Sequence, residues 1–163
     1  MPCREQLLKT NVTQYLRTLI AHQGPECVES SLLDEGTWFE GRYHSEDYPT
    51  AKAWMHNAES KHFYANSQHY CIEDDHARYF EGYALLSPNL LPFEHAWIVM
   101  PDGGVLDFTL ELMEVEAAKQ GIPTDTSQTV YFGMEIPVDF FVVTMLKAGE
   151  TQPTLELFLK QEE

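Results

Sequence analysis

Residues 92–109 read PFEHAWIVMPDGGVLDFT, and how this stretch folds decides the architecture of the chain. His95-Ala-Trp-Ile-Val-Met100 and Val105-Leu-Asp-Phe-Thr-Leu110 are rich in β-branched and aromatic residues, and Pro101-Asp-Gly-Gly104 between them is a strong hairpin signal. Alternate residues of a strand share a face, so His95 goes with Trp97 and Val99, and Asp107 with Val105 and Thr109. The turn length decides whether the two sets coincide. A two-residue loop at Asp102-Gly103 pairs Ile98 with Asp107 and puts His95 on the opposite face. A three-residue loop, Pro101 to Gly103, pairs Trp97 with Asp107. It makes His95 and Asp107 diagonal neighbours on one face, ~7 Å apart at Cα. The paired glycines suit the longer loop with a bulge.

Working outward, the apolar period stays near two in Arg78-Tyr-Phe-Glu-Gly-Tyr-Ala-Leu-Leu86 and in Val130-Tyr-Phe-Gly-Met-Glu-Ile136. It is helical before and after these strands. Leu7, Leu8, Val12, Tyr15, Leu16, Leu19 and Ile20 predict an N-terminal helix that Gly24 and Pro25 stop. Residues 25–50 are acidic and punctuated, and predict loops with a short strand. A second helix is expected within 51–72, with Ser60 capping a portion that starts at Lys61. Residues 111–120 predict a helical piece, and 137–149 a helix with Pro137 near its start and Gly149 after its end. The tail, 153–163, predicts one short helix. The fold class is α+β: an antiparallel sheet of about four to six strands flanked by helices.

One domain is expected over 1–163, since a chain of this size buries roughly two-thirds of its surface on folding. Its 26 acidic and ten basic residues give a net charge of −16, which argues against direct nucleic-acid binding and against an anionic membrane surface. A basic protein partner suits that charge, as does mimicry of nucleic acid. No apolar run approaches the ~18 residues of a membrane span, and the first residues lack a signal-peptide core. Three widely spaced cysteines, Cys3, Cys27 and Cys71, suggest reduced thiols in a cytoplasmic setting. His56, His62, His69 and His76 recur every six or seven residues, too far apart on a helix to share one ion, so no metal and no cofactor are expected.

A carboxylate that accepts from one imidazole nitrogen fixes the tautomer and frees the other nitrogen to take a proton. Four blocks carry a resemblance that gives such a pair a context: Arg78-Tyr-Phe-Glu-Gly-Tyr-Ala84, Pro92-Phe-Glu-His-Ala-Trp-Ile-Val99, Asp102-Gly-Gly-Val-Leu-Asp-Phe-Thr109 and Tyr131-Phe-Gly-Met-Glu-Ile-Pro137. In this order they resemble a group of small phage and bacterial proteins similar to the papain-like and transglutaminase-like fold. The resemblance spans about residues 61–137. It leaves 1–60 as an N-terminal helix and loops and 138–163 as C-terminal helices.

The resemblance implies that His95 is the family histidine, Asp107 its orienter, and Asn66 the asparagine that follows the nucleophile. The nucleophile position then falls on Phe63, which has no lone pair to attack a carbonyl. A cleft lined by Phe63, His95, Trp97, Tyr64 and Glu94 is expected. The reading that follows is a catalytically inactive relative that acts by protein binding, such as a phage-encoded modulator of a host protein. Two rivals remain open: an active cysteine-type hydrolase or acyl transferase using Cys27 or Cys71, and an acidic inhibitor that mimics nucleic acid.

Overall fold

The computed structural model describes residues 1–161. Among them the chain is α+β, with seven α-helices and one five-stranded sheet: α1 Arg4–Gln23, α2 Val28–Glu35, β1 Thr37–Glu40, α3 Pro49–Trp54, α4 Phe63–Glu73, β2 Arg78–Leu85, β3 Phe93–Val99, β4 Val105–Leu106, α5 Phe108–Lys119, β5 Val130–Glu135, α6 Val138–Ala148 and α7 Leu155–Gln161. The strands lie in the order β1-β5-β2-β3-β4, and every neighbouring pair is antiparallel.

Strand alternation divides the core in two. Tyr79, Tyr83, Leu85, Ala96, Ile98, Val130 and Phe132 face the larger cluster, with Leu8, Val12 and Leu16 of α1, Leu32 of α2, Tyr70 of α4 and Phe141 of α6. Phe80, Ala84, Trp97, Val99 and Tyr131 face the other way, against Leu110 of α5 and Phe39 of β1.

The decisive hairpin takes the three-residue loop. Ile98 pairs with Leu106 and Val99 with Val105, the Met100 N–H donates to Gly104 O at 2.9 Å, and Gly103 sits at φ +86°. That conformation favours glycine. The returning strand is shorter than expected. It ends at Leu106, and Asp107 is the N-cap of α5, its side chain accepting from Leu110 N. A satisfied cap outweighs the strand tendency of Phe108 and Thr109.

The segment 25–50 holds a helix, α2, as well as the expected strand β1. The predicted start of α4 at Lys61 also moves. Lys61 has φ +65°, outside helical space, so the helix begins at Phe63 with His62 at the N-cap. Ser60 caps nothing there; its hydroxyl donates to Glu116 at 3.1 Å. No helix among the described residues is long and apolar enough to cross a membrane.

Candidate functional site

His95 lies near the start of β3, opposite Gly82 of β2, and only 1% of it is exposed. β4 covers β3 only at Ile98 and Val99. Beside the earlier half of β3 the first turns of α4 and α5 come together, tied by a bond from Asn66 Nδ2 to Thr109 Oγ1 at 2.9 Å. The hairpin delivers Asp107 to the imidazole. His95 Nε2 donates to Asp107 Oδ2 at 2.6 Å, and the Tyr131 hydroxyl donates to the same oxygen at 3.0 Å. Asp107 Oδ1 takes the Leu110 N–H at 3.1 Å. Burial pushes the Tyr131 hydroxyl well above its ordinary pKa, and the Asp107 charge adds to this, so Tyr131 stays a donor.

The carboxylate partner puts the proton on Nε2. The other nitrogen, Nδ1, is buried and has no hydrogen-bond partner among the described residues. Phe63, the first residue of α4, packs its ring against the imidazole with centroids 4.9 Å apart. Phe93 meets the ring edge-on at 5.2 Å. Phe63, Phe93, Tyr131 and Asp107 therefore surround His95, and none of the four carries a thiol or an aliphatic hydroxyl.

The remaining expected residues separate. The Asn66 amide donates to Glu59 O at 2.8 Å and accepts from Glu59 N at 2.9 Å, so it clamps the turn before α4. Trp97 lines no cleft. It is fully buried, stacked with Phe80 and tilted on Tyr131, because its sheet face is covered by α5 and β1. Gly133 makes room for it: a Cβ there would lie 2.5 Å from Trp97 Cη2. His95 is likewise buried, with Phe63 half-buried against it. Only Tyr64 and Glu94 of the expected cleft line an open space.

That space is a cavity of about 540 Å3 between α2, α4, α7 and the β2–β3 sheet. Glu94 neighbours His95 in sequence, and Glu81 pairs with Ala96, so these carboxylates leave the sheet on the face opposite His95. Glu81 is a buried anchor. Its Oε1 accepts from Tyr79 OH at 2.6 Å, Thr154 N at 2.7 Å and Thr154 Oγ1 at 2.6 Å, and its Oε2 accepts from Leu155 N at 2.7 Å. Burial raises its pKa against the opposing pull of these bonds. Glu29, also buried, accepts from Tyr83 OH at 2.8 Å. Burial raises the Tyr64 hydroxyl, with Glu81 and Glu94 adding to the shift.

The sequence carried one missed signal for this cavity. Tyr79, Glu81 and Tyr83 alternate on a core-facing strand, so a carboxylate stands at an apolar position. Glu29 came from a segment read as loop. The thiols fall apart: Cys3 is exposed before α1, Cys27 lines the cavity, and Cys71 is buried, where burial pushes its pKa far up. Among the described residues no group of three His, Cys, Asp or Glu side chains is placed to hold a metal.

What fold and site define is an α+β protein with a sealed His–Asp–Tyr cluster on one face of its sheet and an acidic cavity on the other. The chain matches no protein-family model, no curated protein and no solved structure.

Proposed function

We propose that this chain is a catalytically inactive relative of the papain-like and transglutaminase-like proteins that acts by binding a basic protein partner. A phage-encoded modulator of a host protein is the form that the resemblance favours. One observation carries the reading: the residue that opens α4 against the imidazole is Phe63, while the His95–Asp107 bond persists beside it. In such enzymes the nucleophile opens a helix and faces the histidine nitrogen that the orienter leaves free. Here that nitrogen, Nδ1, is an orphan, an arrangement that a loss of the nucleophile accounts for. With −16 of net charge, the surface suits a basic partner, whose approach it would steer.

The rival with a relocated nucleophile has less support. Cys71 is sealed in the core, and Cys27 opens onto the sheet face away from His95.

Phe63→Cys tests the reading. A thiol at the start of an 11-residue helix beside an imidazole is stabilised as thiolate, which brings such groups from ~8.5 to below ~7. The new thiol is expected to react with iodoacetamide near neutrality faster than Cys3, and His95→Ala to slow it. Truncating the aromatic ring costs ~3 kcal/mol or more, so the fold is checked by circular dichroism first. A folded variant whose new thiol reacts no faster than Cys3 refutes the assignment of Phe63.

A further inference from the structure

The helix α7 is held to the sheet by one polar catch and little packing. The first N–H groups of a helix find no partner inside it. Here the N–H of Leu155, and that of Thr154 just before it, go to Glu81 at 2.7 Å each. The Thr154 hydroxyl joins them at 2.6 Å. The apolar docking is thin by comparison. Leu155 is the buried side chain of α7, Phe158 and Leu159 are half-buried, and Leu157 is 44% exposed. Leu155 and Leu159, one turn apart, line the cavity of about 540 Å3, so this side of the helix faces open space where a core helix would meet close-packed atoms. Phe158 rests on Phe140 of α6, ring centroids 5.3 Å apart. The connection is loose as well. Gly149, at φ +78°, ends α6, and the segment 150–153 makes no backbone–backbone hydrogen bond among the described residues. Its tie to the body is the Gln68 amide, which donates to Gln152 O at 2.8 Å.

We propose that α7 is a hinged strap: it lifts from the sheet as one unit about residues 150–153, Glu81 is the catch that holds it down, and its position sets how wide the cavity opens. The catch makes the motion concerted. Its three donors sit on two adjacent residues and converge on one carboxylate, so they are released together. With the strap down, Glu81 is 3% exposed. With it lifted, Glu81 keeps the Tyr79 hydroxyl and exchanges the other three donors for water, which keeps the cost of opening far below that of unfolding the sheet. The wall formed by Leu155 and Leu159 leaves in the same movement, and the floor at Tyr64, Gly82 and Tyr83 gains a broad entry. This device goes beyond the binding role proposed above. It lies on the sheet face opposite His95 and stands whether or not Phe63 marks a lost nucleophile.

The test is amide hydrogen exchange on the full chain, read by NMR at a series of low urea concentrations. In the wild-type chain the Thr154, Leu155, Phe158 and Leu159 amides are expected to share one opening. It is faster than that of the β2 and β5 amides and less dependent on urea, because a smaller surface is exposed. Thr154→Ala deletes the hydroxyl from the catch and is expected to speed all four amides together, roughly tenfold or more, the worth of one hydrogen bond to a charged group. The β2 and β5 amides keep their rates. Thr154→Ser retains the hydroxyl and is expected to exchange like wild type. Exchange of the α7 amides at the rate of β2 and β5 overturns the strap. So does graded exchange, with Thr154 and Leu155 as protected as the sheet while Phe158 and Leu159 exchange freely, since that is fraying of a helix whose catch stays shut. Equal rates in Thr154→Ala and wild type remove Glu81 as the catch. The wild-type measurement decides between strap and fixed wall even where a variant fails to fold, and none of these outcomes bears on the reactivity of the thiol in Phe63→Cys.

Discussion

Replacing Asp107 measures what the retained pair is worth once catalysis is set aside. The carboxylate, 2% exposed, accepts three hydrogen bonds, from His95, Tyr131 and the α5 backbone. Asp107→Asn keeps the shape and one acceptor. Its carbonyl can still cap Leu110 N, but its amide then points a donor at His95 Nε2. The imidazole must move its proton to Nδ1 to accept. Nδ1 is buried and has no partner, so that proton becomes an orphan. The Tyr131 hydroxyl, in turn, can rotate to accept from the amide. One buried unsatisfied donor is left, a loss of about 1–2 kcal/mol. At about 2–4 °C per kcal/mol for a chain of this size, Tm falls by about 2–8 °C. Asp107→Ala removes the cap as well, at ~1 kcal/mol, and strands both side-chain donors at ~1–3 kcal/mol each. The sum, about 3–7 kcal/mol, is a large share of the ~5–15 kcal/mol that holds a typical domain together. Thermal unfolding followed by circular dichroism at pH 7 reads both variants. An Asp107→Asn protein within about 0.5 kcal/mol of wild type, the range of an ordinary surface change, refutes the buried pair.

Two further outcomes follow from the buried groups. Glu81→Gln turns an acceptor for four donors into a group with one acceptor, and is expected to loosen α7; faster hydrogen exchange at the Thr154, Leu155 and Phe158 amides measures it, and unchanged exchange at all three counts against the anchor. Native protein treated with a thiol reagent at about pH 8 is expected to label Cys3 readily and Cys71 only after denaturation, because burial keeps the Cys71 thiol protonated; labelling of both at one rate under native conditions, read by mass spectrometry, contradicts the packing of α4.

The hairpin was legible because its chemistry is local. Turn length alone fixes which residues face each other, and the two glycines after Pro101-Asp102 suit the three-residue loop, the one that puts His95 and Asp107 on one face and the one that the hairpin takes. Gly149 shows the same locality: at φ +78° it ends α6 where the sequence puts the end. What failed was reach. Asp107 looked like a strand residue because Phe108 and Thr109 favour strands, whereas the cap bond to Leu110 and the burial of Phe108 and Leu110 are decided by packing. The absence of a cap side chain at either end of α2 hid that helix among acidic residues. Alternation gave Trp97 the right face and the wrong surroundings, since period two says which residues go together and nothing of what covers them.

The same limit explains why the cavity went unseen while the His–Asp pair was found. His95 and Asp107 are 12 residues apart, joined by one turn whose geometry the sequence dictates. Glu29 and Tyr83 are 54 apart, and Glu81 and Leu155 are 74 apart. No local rule spans such distances; only the docking of α2 and α7 onto one sheet face brings them together. Sequence reading therefore favours the site that a hairpin builds, and the more accessible site is the one that the whole fold builds. The imidazole is sealed beneath Phe63, Phe93 and Tyr131, while Glu94, one residue before it, turns to the other face beside Glu29. Strand alternation thus gives two neighbouring residues opposite surroundings, His95 sealed on one face of the sheet and Glu94 lining the cavity on the other.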